Sequence, residues 1–159
     1  MKHTFSALLV VVAVAFLYAC TPNRGCTEAT ADNYDVNAEE DDGTCIPSRD
    51  KLIGGFSYSK FWVDVISAQE FSDVGTLQIT EANTANNAYN LNFDGSLFLQ
   101  GSVSQNNLIL ENHVELTYSY SGSGTWFPND TVDAVLNVTY VSQLLPAPQV
   151  FTYYCSKNQ

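Results

Sequence analysis

Two hydrophobic rhythms divide the chain. The first is unbroken: residues 7–16 read ALLVVVAVAF without a polar position. The second starts at Leu52 and has the period of two that a half-buried strand requires. Phe56 and Tyr58 alternate with polar residues, and then Phe61, Val63 and Val65 take the opposite parity, a slip that predicts a β-bulge near Ser59-Lys60. Leu77 and Ile79 continue the pattern, followed by Tyr89, Leu91 and Phe93, with Asp94-Gly95 as a hairpin turn before Leu97 and Leu99. Asn106-Asn107 predicts a second turn ahead of Leu108 and Leu110, and Asn112-His113 a third turn or a bulge. Leu116, Tyr118 and Tyr120 alternate until Gly122-Ser123-Gly124, which reads as a turn. The longest alternation runs through Val132, Ala134, Leu136, Val138 and Tyr140; Pro146 and Pro148 mark a loop, and Val150 to Cys155 is the last strand. About eight short strands spaced roughly 8–12 residues apart predict an all-β domain, an antiparallel meander forming a small barrel or sandwich. A barrel is preferred because closure removes exposed strand edges. No segment after residue 50 has clear helical spacing, Ala68 to Phe71 offering one turn at most.

The first run belongs to a different design. It is too short to cross ~30 Å of hydrocarbon comfortably, which takes about 20 apolar residues. Lys2 precedes it and Leu17-Tyr18-Ala19-Cys20 follows, the layout of a secretory signal peptide over residues 1–19. The last four residues resemble the lipobox of bacterial lipoproteins: Leu17, small Ala19, then Cys20, with Tyr18 departing from the usual small or aliphatic residue. The resemblance implies cleavage before Cys20 and a diacylglyceryl thioether on its sulfur. Acyl chains such as palmitate then hold the protein on a membrane, each buried CH₂ contributing ~0.8 kcal/mol. The implied location is the cell envelope, lipid-anchored at the outer membrane, on its periplasmic face or at the cell surface. The alternative is an ordinary signal peptide cut after Ala19, releasing a soluble protein.

Charge changes the picture of possible partners. Beyond residue 19, five basic residues face seventeen acids, a net charge of −12. Nucleic acid is excluded as a partner, because phosphate binding needs clustered Lys and Arg. An anionic membrane surface repels such a domain, leaving the lipid to anchor it. Seven of the acids lie in residues 25–45, GCTEATADNYDVNAEEDDGTC, which hold no basic residue. Cys26 and Cys45 bracket this stretch, and in an exported chain they most simply form a disulfide. Residues 20–51 therefore read as an acidic, cysteine-bracketed tether ahead of the β domain of residues 52–159. The motif Gly25-Cys26-Thr27, Asn33-Tyr34 and Asp41-Asp42-Gly43-Thr44-Cys45 resembles a short repeat of secreted and surface proteins of Gram-negative bacteria. The stretch is also a candidate calcium site: Asp32, Asp35, Asn37, Asp41 and Asp42 offer the hard oxygen ligands Ca²⁺ takes, without the spacing of an EF-hand. The competing reading is a solvated acidic loop that needs no cofactor.

The β domain resembles small lipocalin-like (calycin-type) domains of bacterial lipoproteins. The resemblance rests on the meander, on Gly122-Ser123-Gly124-Thr125 before a Thr/Val-rich strand, and on the Tyr-rich terminal strand. Gly54-Gly55-Phe56 stands where lipocalins carry Gly-x-Trp, a departure that detaches lipocalin ligand binding from the resemblance.

Candidate chemistry is sparse. His113 is the only histidine beyond the leader, so no His-based metal site forms, and no G-x-S-x-G elbow supports a Ser-His-Asp triad. Glu111 and Glu115 suit glycoside hydrolysis only if placed across a cleft. Aromatic residues are abundant, with nine Tyr, nine Phe and two Trp. Trp62, Trp126, Tyr118 and Tyr140 are the candidates for ligand contact, Trp62 and Trp126 as exposed rings. With Cys20 lipidated and Cys26 paired to Cys45, Cys155 has no partner; it is a buried thiol, an inter-chain bridge, or a member of a different pairing. Asp130-Thr131-Val132 resembles a bacterial O-glycosylation tripeptide. Three functions follow. The first is a non-enzymatic envelope lipoprotein that binds a small apolar ligand, a glycan or a protein through its barrel. The second is a structural or adhesion module with the acidic repeat as spacer. The third is a carboxylate hydrolase. A hollow barrel favours the first, and a filled one the second.

Overall fold

The structure is a computed structural model that describes residues 21–128 and 132–158. The leader, Cys20 and the Asp130-Thr131 of the tripeptide lie outside the described residues.

The chain forms two compact units. The smaller joins the segment ending at Ala29 to Asn33–Cys45; the larger joins Thr30–Asp32 to the chain from Ile46 onward. In the smaller unit a parallel pair, β1 (Arg24–Gly25) and β2 (Glu40–Asp41), lies beside the disulfide between Cys26 and Cys45. Side chains rather than a core shape this unit. Asp35 accepts the Asn37 N–H at 2.9 Å, Asp41 accepts Gly43 N–H at 3.1 Å, and Asp42 accepts both the N–H and the hydroxyl of Thr44 at 3.0 and 2.6 Å. These are local carboxylate-to-backbone turns, the use to which short polar side chains are best suited.

The larger unit is a closed antiparallel barrel of eight strands among the described residues. In chain order they are β3 (Gly54–Val63), β4 (Glu70–Glu81), β5 (Ala88–Phe93), β6 (Leu97–Ser104), β7 (Asn107–Val114), β8 (Tyr118–Trp126), β9 (Ala134–Ser142) and β10 (Gln149–Lys157). Each pairs with its sequence neighbours, and β10 closes on β3. The expected meander therefore takes the barrel form rather than the sandwich.

Several local expectations need correction. No bulge interrupts Ser59-Lys60: the β3–β4 register runs without a shift from Gly54↔Ile79 to Val63↔Glu70. Phe56, Tyr58, Lys60 and Trp62 share the inner face, while Phe61 and Val63 stay exposed outside. Lys60 breaks the apolar alternation, which is why the sequence suggests a slip. Gly122-Ser123-Gly124 is not a turn; it lies inside β8, with Gly122 opposite Val138 and Gly124 opposite Leu136. A Cβ on Gly122 would collide with the Asn137 carbonyl and Leu110, and one on Gly124 would lie 2.5 Å from the Val135 carbonyl oxygen. Glycine here permits close backbone approach, its other common use in a strand. The second turn falls one residue early, with Gln105 at φ 53° and Asn107 already paired to Ser104. Asn112-His113 is a bulge, marked by a register shift between Leu110 and His113.

The core explains why one end of the barrel is closed. Phe56, Leu77, Ile79, Tyr89, Leu91, Leu108 and Leu136 are almost completely buried, and burial of each stabilises the fold by about 1.5–3 kcal/mol. A 3₁₀ turn, Asp50–Leu52, adds the fully buried Leu52 to the same core. Beside it, the Arg49 guanidinium donates to the carbonyls of Ala82, Ala85 and Ala88 at 3.1, 2.9 and 3.4 Å. Lys51 reaches Asn106 at 2.9 Å, and Ser48 accepts the Gln105 N–H at 3.1 Å. The approach to β3 thus ties down the β4–β5 and β6–β7 loops and covers this end with protein. The closed half is a side-chain core rather than a chamber for a ligand.

Candidate functional site

The other end of the barrel is built differently. It is bounded by the loops at residues 64–69, 94–96, 115–117 and 143–148, and the inward parity there presents rings instead of aliphatics. Trp62 on β3 stacks on Phe71 of β4 at 5.5 Å and touches Phe151 of β10 at 5.7 Å. Lys60 lies over Trp62, its Nζ 5.0 Å from the ring centroid, and pairs with Asp73 at 3.2 Å. On β8 and β9 at the same end, Tyr120 packs on Tyr140 at 4.9 Å, and Tyr118 on Tyr120 at 5.7 Å and on Tyr140 at 5.9 Å. Burial, then the neighbouring Tyr140 and Tyr118, raise the pKa of Tyr120.

A second tier supports the first. Tyr153 contacts Tyr58 at 5.0 Å and Phe93 at 4.9 Å. The Tyr58 hydroxyl donates to Asp94, whose other oxygen accepts the Thr76 N–H at 2.7 Å. Burial, followed by this contact with Asp94, pushes the Tyr58 pKa well up. The Thr76 N–H, then the Tyr58 hydroxyl, hold Asp94 below the ordinary carboxylate value. Gln149 fastens β10 to the first loop: it donates to the Val63 carbonyl at 2.8 Å and accepts the Val65 N–H at 3.2 Å.

Above the rings stand aliphatic side chains in water. Ile66, Leu116 and Leu144 sit on three separate loops of this end and are 70%, 98% and 88% exposed. Aliphatic residues in turns are the signal that sequence reasoning passed over; Leu116 reads there as the start of a strand. Asp64, Glu70, Asp94 and Glu115 border the same end. Lys60 is its only Lys or Arg among the described residues, since Arg49, Lys51 and Lys157 all act at the closed end.

The barrel brings three of the four candidate aromatics, Trp62, Tyr118 and Tyr140, to this one end. Trp126 is not with them, and the expectation that it is exposed is wrong. It ends β8 at the closed end, is 8% exposed, and packs edge-on against Phe56 at 6.1 Å. The acidic candidates separate too. Asp32 folds with the barrel unit, where it accepts the Ser48 hydroxyl and the Lys51 ammonium, each at 2.7 Å. Asp35, Asn37, Asp41 and Asp42 fold with the disulfide unit, where the three carboxylates close turns. No group of three or more His, Cys, Asp and Glu is placed to hold a metal among the described residues. Glu111 and Glu115 are exposed on and just beyond β7, with Glu115 3.3 Å from His113. Cys155 is a free, buried thiol, and burial raises its pKa to about 12.

Comparison of the chain with family models, with curated proteins and with solved structures finds no match.

Proposed function

We propose that the chain is an exported, lipid-anchored protein of the cell envelope whose barrel is a non-enzymatic interaction module, binding a protein partner at its open end. The observation that carries the binding reading is the set of exposed aliphatic tips, Ile66, Leu116 and Leu144, over a tier of packed aromatic rings. Exposed apolar surface of this kind marks interaction sites, and aromatic residues dominate binding hot spots. The acidic border suits a partner whose apolar centre is rimmed by Lys and Arg, and it disfavours an anionic membrane. Because the closed half is filled, binding moves from the interior to the rim, which favours a protein over a small apolar ligand held inside. The lipid-anchor reading rests on Leu17-Tyr18-Ala19-Cys20 and the apolar run before it. Residues 46–53, which lead into β3 and belong to the barrel unit, lie at the closed end.

Two measurements on cells producing the full chain test this reading. Labelled palmitate is incorporated by the wild type and lost in Cys20→Ala; labelling that survives the substitution removes the anchor. A photo-crosslinking residue at position 116 or 144 gives one discrete adduct, which is absent from position 74 on the barrel wall and weakened by Ile66→Ser. Equal adducts from tip and wall positions, or none from the tips, remove the open end as the binding surface.

A further inference from the structure

The wall of the barrel is not uniformly paired. β5 pairs with β6 along the whole of β5, from Ala88↔Ser102 to Phe93↔Leu97. The β6–β7 ladder runs only from Ser104↔Asn107 to Gly101↔Leu110. Beyond it the bulge in β7 redirects the strand, and β7 resumes pairing with β8 at His113↔Tyr120. Residues 97–100 and 111–114 therefore face each other without a ladder among the described residues. A concavity of about 550 Å³ opens there on the outer face of the barrel.

We infer that this cleft is a binding site for an uncharged oligosaccharide, distinct from the aliphatic tips of the open end. Five of its eleven lining residues carry carboxamides: Gln78, Asn90, Asn92, Gln100 and Asn112. A carboxamide donates and accepts at once, which matches vicinal hydroxyl groups on a sugar ring. Two of these amides are already oriented, with Gln100 Nε2 donating to Asn90 Oδ1 at 3.0 Å and Asn90 Nδ2 to the Glu81 carbonyl at 2.8 Å. Asn92 Oδ1 is a buried acceptor with no hydrogen-bond partner. Phe98, 60% exposed, adds an apolar ring face of the kind that the C–H face of a pyranose packs against. No Lys or Arg lines the cleft, and Glu111 does, which disfavours an anionic ligand. An extended peptide is the competing occupant, since unpaired strand edges accept added strands. That mode draws its affinity from the backbone edges and leaves the convergence of five carboxamides around one aromatic ring without a role.

The test is calorimetric titration of the full chain in a detergent without a sugar headgroup, using cellohexaose, maltohexaose, mannohexaose and xylohexaose. At least one binds saturably. Phe98→Ala and Gln100→Ala each weaken it about tenfold, the loss of one good contact. Leu116→Ser leaves it unchanged, which separates this cleft from the open end. Because Phe98 and Gln100 are exposed, both variants keep the near-ultraviolet circular dichroism of the wild type. Absence of heat with all four sugars at millimolar concentration overturns the proposal, as does sugar binding that survives both substitutions. Binding of an alternating Thr-Val peptide that Phe98→Ala abolishes, with no response to sugar, also overturns it and assigns the cleft to strand addition.

Discussion

Asp94 combines a turn with a cross-strand contact in the barrel. It takes a positive φ of 50°, which Asp tolerates better than most residues, and so forms the β5–β6 turn. Its carboxylate then leaves the turn and bonds Thr76 on β4 and Tyr58 on β3. Gly75 leaves the space for this, since a Cβ there would lie 2.5 Å from both the Asp94 carboxylate and the Tyr58 hydroxyl. These bonds depress the pKa of Asp94 in the folded state, and the sign of the pH effect follows. The stabilisation is fully present above the unfolded carboxylate value of about 3.9 and is lost as pH falls through the lower folded value. Asp94→Asn is therefore less stable than the wild type in urea at pH 7 and at pH 5, and the gap between the two narrows below pH ~4. A gap that stays constant down to pH ~2 would mean that the carboxylate is not the stabilising group.

At the level of strands, β8 shows what packing imposes beyond pattern. Its Gly122 and Gly124 face β9 where a side chain would strike the Asn137 and Val135 carbonyls. Gly122→Ala forces backbone apart and is expected to cost about 1–3 kcal/mol, read as a lower midpoint in urea unfolding with an unchanged slope. A neutral result would mean that β8 and β9 separate freely at this point. The sequence announces the strands of this barrel through period-two alternation, and it announces the Asp94-Gly95 hairpin through turn chemistry. It does not announce the glycine pair as strand, because glycine carries the same symbol in a turn and in a close contact. Nor does it announce Lys60 as inward-facing, since only Asp73 and Trp62, brought alongside by the fold, make that position acceptable for an ammonium group. The open-end site was legible in part for the same reason: the rings at Trp62, Tyr118 and Tyr140 stand out in the sequence, whereas their meeting depends on barrel closure. Trp126 carries the same letter as Trp62 and likewise lies at the C-terminal end of its strand, but β8 runs the other way and sets it at the opposite end of the barrel.

At the scale of the whole chain, covalent and non-covalent stabilisation are divided between the two units. The disulfide unit holds Cys26 and Asn33–Cys45 in turns made by carboxylates, with few buried apolar groups. Its bridge spans 19 residues, a constraint worth roughly 3 kcal/mol on the loop-entropy model. The barrel unit has a continuous apolar core and no disulfide among the described residues. Reducing the bridge should therefore open one unit and spare the other. Under mild reductant at pH 8, Cys26 and Cys45 take up iodoacetamide, while Cys155, buried and with a pKa near 12, stays unmodified until urea unfolds the barrel. Hydrogen exchange measured in parallel loses the protection of amides within Asn33–Cys45, such as Asp35, whose N–H bonds the Cys26 carbonyl at 2.9 Å. Protection across β3–β10 persists. It persists also at Asp32, whose N–H bonds the Ile46 carbonyl at 3.0 Å within the barrel unit. If Cys155 is alkylated as fast as Cys26 and Cys45, the bridge is holding the barrel shut, and the division of labour between staple and core is wrong.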